Sequence, residues 1–167
     1  MSPATAADLA VMTEQLGRPV RDVVGVAART LDGVPAVVST APRLADGTPF
    51  PTFYYLTHPV LVAAISRLEA EGLMREWTAL VEDGGPFAAD HAAAHAAYLA
   101  DRAAAGEVPE IAGISAGGMP TRVKCLHALA AHALAAGPGV NPIGDRALSM
   151  SNWSPERCVC AEPGTAG

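Results

Sequence analysis

The stretch Gly113–His132, GISAGGMPTRVKCLHALAAH, holds the densest set of chemically useful side chains in the sequence. It joins a glycine-rich loop to two basic residues (Arg122 and Lys124), a cysteine (Cys125) and two histidines. Thiolate and imidazole are the ligands that zinc prefers. A glycine-rich loop next to positive charge suits an anion, because it presents backbone N–H groups. The stretch therefore predicts a metal site, an anion site or both.

The other two cysteines, Cys158 and Cys160, form a CxC pair near the C-terminus. Three cysteines do not complete a disulfide framework, but a CxC pair can place two sulfurs on one metal. Zinc takes four tetrahedral ligands, so a histidine is needed beside three cysteines. We predict a site of Cys125, Cys158, Cys160 and His58, with His127 as the second choice of histidine. Zinc is preferred, and an iron–sulfur cluster is the alternative.

The anion hypothesis uses the loop residues Ser115, Gly117 and Gly118 with the side chains of Arg122 and Lys124. It predicts a small-molecule enzyme or binder for a phosphorylated or carboxylated ligand, in which the cysteine or a histidine that follows does the chemistry. Neither the GxxxxGK[ST] pattern of phosphate loops nor the GxG spacing of dinucleotide sites is present. The sequence therefore defines no substrate and no reaction.

A helix is predicted directly after this loop. Proline is well suited to the first helical position, so Pro120 indicates a helix that runs from Thr121 and ends at Gly137. In such a helix Cys125 and His127 project about 200° apart, at 3.6 residues per turn. The two side chains are therefore not expected to form a nucleophile–base pair within that helix.

The remaining pattern predicts an α+β fold that is mostly helical. Three β-rich runs, Val23–Ala28, Pro35–Thr40 and Thr52–Thr57, are separated by turn residues and indicate a small antiparallel meander. About five or six helices are expected to pack against it. Besides the central helix they are Ala4–Leu16, a helix from Pro59 to Gly72, Met74–Val81, Phe87–Ala105 and Pro142–Met150. Residues 1–150 are expected to form one globular domain, and residues 151–167 a tail whose last residues are disordered.

Two further groups of residues have both a structural and a functional interpretation. His91 and His95 lie one helical turn apart and can chelate a metal or transfer protons, but the glutamate of an HExxH motif is absent. A partly exposed helix face is the preferred interpretation. For Phe53–Tyr55 the preferred interpretation is that these aromatic residues belong to the core. The alternative is that they form the aromatic patch of a non-catalytic interaction module.

Composition limits the possible partners and the compartment. The net charge of −6 argues against nucleic-acid binding, which requires a basic face. No apolar run is long enough for a membrane span, and the N-terminus lacks the features of a signal peptide. We therefore expect a cytoplasmic protein with reduced cysteines. The sequence leaves the oligomeric state open.

Two segments, Asp46–Pro59 and Ala112–Asp145, carry a family resemblance. They include the long motif SAGGMPTRVKCLHALAAH, and the similarity extends from about Leu16 to Met150. The chain resembles the domain-of-unknown-function 501 family, whose members are uncharacterised and come chiefly from actinobacteria. The resemblance implies a small cytosolic protein and brings no assigned activity. It also implies that His58 occupies a position where relatives have His or Cys.

Overall fold

The computed structural model describes residues 1–155. The predicted ligands Cys158 and Cys160, and the predicted disorder of the last residues, lie outside this range. The elements follow the order α1 (Ala6–Leu16), β1 (Val23–Arg29), β2 (Pro35–Thr40), β3 (Tyr54–Leu56), α2 (Pro59–Ala70), α3 (Leu73–Glu82), α4 (Gly85–Ala105), α5 (Leu126–Ala136) and α6 (Pro142–Ser151), with a short 3-10 helix at Pro109–Ile111 before α5. The α+β, mostly helical architecture is confirmed.

The three strands form an antiparallel sheet in the order β1-β2-β3. All residues of the central strand β2 are buried, as expected for a strand that pairs on both sides and is covered on both faces. The connection between β1 and β2 turns at Gly33, whose φ of 84° favours glycine. The third strand is shorter than predicted and covers Tyr54–Leu56 only.

Helix α5 lies at the centre of the molecule and contacts α2, α6 and the sheet. Its alanines are buried on several sides, so neighbouring elements can approach its backbone closely. The closest approach is by α6, where a Cβ on Gly144 would collide with the backbone of Leu129. Small side chains thus replace bulky ones at this interface, in a chain of which only 5% of residues are aromatic.

The aromatic segment Phe53–Tyr55 packs inward. Phe53, directly before β3, and Tyr54 are 1% and 7% exposed, and both pack in the main hydrophobic cluster. Tyr55 is half-buried and packs against a second, smaller cluster that includes Met12. None of the three residues is exposed, so the segment does not form an exposed aromatic patch. Within residues 1–155, no helix is both long and apolar enough to cross a bilayer.

Candidate metal centre

The segment before α5 differs from the sequence prediction. The helix begins at Leu126 and not at Thr121, and Pro120 lies in a turn after a cis peptide bond. Two contacts hold the intervening residues outside the helix. The Thr78 hydroxyl accepts a hydrogen bond from the Val123 N–H (3.0 Å), and its own hydrogen faces two acceptors, the carbonyls of Met74 (2.7 Å) and Val123 (3.2 Å). The Lys124 N–H also donates to the carbonyl of Gly117, at 2.7 Å.

This later start changes the position of the cysteine. Cys125 is the residue immediately before the helix, with an extended backbone (φ −151°, ψ 112°), and its side chain makes no capping hydrogen bond. The helical periodicity therefore does not apply to the Cys125 side chain. The sequence prediction uses that periodicity to place Cys125 and His127 on different faces of one helix. That prediction is wrong, because the two side chains lie together.

Glu69, Cys125 and His127 form a group of three half-buried side chains. One potential ligand atom from each residue lies within 4.8 Å of the other two. Glu69 comes from the last turn of α2, and its Oε1 accepts a hydrogen bond from the Leu126 N–H at 2.7 Å. The Glu69 carboxylate thus caps α5, where the positive end of the helix dipole favours an anion.

The imidazole of His127 is oriented by both of its nitrogens. Nε2 lies 3.2 Å from the carbonyl oxygen of Val62, and Nδ1 lies 3.1 Å from Glu69 Oε1. Ser66 Oγ also lies 3.2 Å from Nε2, so the neutral ring has two arrangements: Nε2 donates to the Val62 carbonyl, or Nδ1 donates to Glu69 while Nε2 accepts from the Ser66 hydroxyl. In the first arrangement the Nδ1 lone pair faces the carboxylate, which suits a second proton or a cation shared with Glu69.

The electrostatics of His127 agree with this arrangement. Hydrogen bonding to Cys125 raises the pKa of His127 to about 9, against the opposing effect of burial and with further help from the Glu69 charge. The ring is therefore protonated at neutral pH when no metal is bound. A metal ion at this position would displace that proton.

The structure does not bring His58 to this group. His58 is the N-terminal cap residue of α2, whereas Glu69 lies in the last turn of the same helix. At about 1.5 Å per residue, the two Cα atoms are about 16 Å apart along the helix axis. The His58 ring instead packs against Trp153, with 5.5 Å between ring centroids.

The five predicted anion-binding residues are brought together. Ser115, Gly117, Gly118, Arg122 and Lys124 all line one cavity of about 570 Å³. The Ser115 hydroxyl is engaged internally, with Oγ 2.8 Å from His95 Nδ1 and donating to the Met119 carbonyl at 3.3 Å. Both contacts of the Ser115 hydroxyl are thus made within the protein.

Helix α4 holds this loop in place with one face. His91 Nε2 lies 3.0 Å from the Arg122 carbonyl oxygen, His95 contacts Ser115, and Arg102 donates to the Ile111 carbonyl at 2.7 Å. His91 is completely buried and His95 is half-buried. The preferred prediction of a partly exposed histidine face is therefore wrong for His91. Both histidines serve to anchor the glycine-rich segment.

A second polar cluster lies deeper, around His132 in the middle of α5. The ring is completely buried and stacks on Tyr54, with 5.9 Å between centroids. Its Nδ1 lies 3.2 Å from Asn141 Nδ2, and its Nε2 lies 3.6 Å from Asp101 Oδ2, which is longer than a hydrogen bond. Burial lowers the pKa of His132, while the Asp101 charge acts in the opposite direction.

No feature of the sequence indicated Glu69 as part of a site. Glu69 lies 58 residues before His127 in the chain, and no spacing rule relates positions on two different helices. Only the packing of α2 against α5 brings the carboxylate to the cysteine and the histidine.

Comparison with known proteins identifies a family but no activity. No curated protein and no solved structure matches the chain. The model of a family described as "Protein of unknown function (DUF501)" matches residues 26–149, which include β2, β3, most of β1, Glu69, Cys125 and His127. The chain therefore belongs to the DUF501 family.

Proposed function

We propose that this protein binds a transition-metal ion, zinc in preference to an iron–sulfur cluster, through Cys125, His127 and Glu69. The observation that carries the proposal is that one ligand atom each of Glu69, Cys125 and His127 lies within 4.8 Å of the other two, with His127 Nδ1 3.1 Å from Glu69 Oε1. Sulfur, nitrogen and oxygen donors are all found in zinc sites. A histidine ligand whose other ring nitrogen donates to a backbone carbonyl is the usual arrangement around zinc, and Val62 provides that carbonyl.

The ligand set departs from the sequence prediction in two ways. His127 takes the place of His58, and Glu69 is added, because both lie beside Cys125. Zinc in a structural site has four ligands, so these three residues leave one position of the tetrahedron. Cys158 or Cys160 is the proposed ligand at that position and attaches the C-terminal tail to the start of α5. A closed site of this kind is structural and contributes to the free energy of folding.

The proposal is tested by the metal content of the purified, reduced protein. We expect about one equivalent of zinc per chain by mass spectrometry, and no visible absorption of the kind that an iron–sulfur cluster gives. Cys125→Ser and His127→Ala should each lose the metal. Glu69→Gln keeps an oxygen that can cap α5 but loses the charge, and should weaken zinc binding.

Two further variants separate the alternative ligand sets. His58→Gln should keep the full zinc content, and the double variant Cys158→Ser/Cys160→Ser should bind zinc more weakly. Zinc loss in His58→Gln with retention in His127→Ala would favour the original ligand set. A wild-type protein that binds no metal, and whose stability does not respond to zinc, would refute the proposal.

A further inference from the structure

The loop that precedes α5 contains four consecutive backbone N–H groups that have no acceptor within residues 1–155. They belong to Ser115, Ala116, Gly117 and Gly118. Their neighbours differ, since the N–H groups of Met119, Thr121 and Arg122 all donate to carbonyls of the loop itself. Unsatisfied backbone donors are costly when they are shielded from water, and Ser115 and Ala116 are only 8% exposed.

The backbone conformation of the loop depends on two glycines. Gly117 and Gly118 have φ values of 68° and 92°, which favour glycine. Successive backbone N–H groups in a turn can form a concave surface that binds anions, and this loop is such a turn. A Cβ at Gly118 would lie 3.0 Å from Arg122 Cγ and 2.9 Å from Lys124 Cβ. The stems of both basic side chains therefore begin directly beside Gly118.

The cavity formed by this loop is positively charged. Its lining includes the four loop residues, Arg122 and Lys124, and contains no aspartate or glutamate among the residues that the structure describes. The chain as a whole has a net charge of −6. A cavity lined by two cationic side chains and no acidic one therefore has the opposite sign of charge to the chain as a whole. The volume of about 570 Å³ leaves room for an anion attached to a small organic group.

We propose that the loop 115–118, together with Arg122 and Lys124, binds the phosphate group of a small ligand. The backbone N–H groups hold the phosphate oxygens, and the two side chains neutralise the charge. The Ser115 hydroxyl positions the loop, since its hydrogen is donated to the Met119 carbonyl. This site does not depend on the metal centre, because it uses none of the proposed metal ligands.

Titration with inorganic phosphate, followed by calorimetry and by NMR of the backbone amides, tests the proposal. The titration is done on the full chain at constant ionic strength, set with chloride. We expect saturable binding, with the largest amide shifts at Gly117 and Gly118. Arg122→Gln/Lys124→Gln should lower the affinity by about tenfold or more, which corresponds to the loss of about 1.4 kcal/mol. Both side chains are exposed, so the fold should be retained.

Arg18→Gln/Arg67→Gln is the matched control. It removes the same number of charges from exposed positions outside this cavity and should leave the phosphate affinity unchanged. The proposal is overturned if phosphate binding is not saturable, if both double variants weaken it equally, or if acetate binds as tightly as phosphate. The zinc content of the same samples shows independently whether the metal proposal holds.

Discussion

Helix α5 carries two histidines whose environments have opposite effects on their pKa. His127, in the first turn, has its pKa raised to about 9 by the Cys125 thiol and the Glu69 carboxylate. His132 lies little more than one turn later and has its pKa lowered, because burial there outweighs the attraction of Asp101. The side chain of His127 is 25% exposed and that of His132 is completely buried.

This difference between the two histidines distinguishes a candidate binding residue from a residue of the core. His132 is enclosed by aromatic rings, and the Asn141 side chain that faces it also accepts the Gly144 N–H at the start of α6. His132 thereby connects α5 with the aromatic rings around it and with the start of α6. His127 instead faces ligand-type atoms from two other residues. We infer that His132 contributes chiefly to folding, and that His127 contributes chiefly to binding.

The largest expected effect is on stability at the buried histidine. His132→Ala should lower the free energy of unfolding by about 3 kcal/mol, because it leaves a cavity between Tyr54 and Tyr98 and removes the partner of Asn141. His127→Ala should cost only about 1 kcal/mol in metal-free protein, since its ion pair is partly solvated. Urea denaturation of both variants in chelator measures the two values. Equal losses would invalidate the distinction between the two histidines.

A smaller effect is expected where α3 holds the segment before α5. Thr78→Val removes the hydroxyl that accepts the Val123 N–H, leaves that N–H without its partner and should cost about 1–2 kcal/mol. It should also lower zinc affinity, because the position of Cys125 depends on this segment. Thr13→Val, at a half-buried position in the middle of α1, serves as the control for the same substitution. A zinc affinity that does not change in Thr78→Val would show that the segment is held by other contacts.

The smallest effect is a dependence of stability on pH. The folded protein binds the His127 proton more tightly than the unfolded chain, whose histidine pKa is 6.5. The resulting stabilisation is complete below pH 6.5 and is lost as the pH rises to about 9. It should amount to about 1 kcal/mol in metal-free protein, after allowance for solvent exposure.

His132 has the opposite dependence. Because its folded-state pKa is lowered, it destabilises the fold as the pH falls below 6.5. Urea denaturation between pH 5 and 10 should therefore show that His127→Gln loses the alkaline slope only. If the wild type and His127→Gln have the same alkaline slope, His127 does not carry the proton that we assign to it.

Local sequence signals predict most of the fold because they act within single elements. Thr5 caps α1, Asn141 caps α6, and Pro59 begins α2. The three strands are found in the predicted order, since their buried β-branched residues are bounded by turn residues. These features depend on near neighbours in the chain, which is why the sequence is sufficient to identify them.

The candidate site was only partly predictable because tertiary contacts decide it. Pro120 is a good local start signal, but the contact of Val123 with Thr78, on another helix, keeps these residues out of α5, which begins at Leu126. Because the helix begins there, Cys125 lies beside His127, and the packing of α2 brings Glu69 to both. The sequence indicated Cys125 as a ligand, but its preferred histidine, His58, lies at the far end of α2.

X-ray absorption at the zinc edge tests the central claim most directly, because it reports the atoms bound to the metal. The account predicts at least one sulfur at about 2.3 Å together with nitrogen or oxygen at about 2.0–2.1 Å. In Cys125→Ser the sulfur contribution should decrease, and in His127→Ala the contribution from imidazole should disappear. A spectrum with only oxygen and nitrogen neighbours, or one that does not change in either variant, would contradict it.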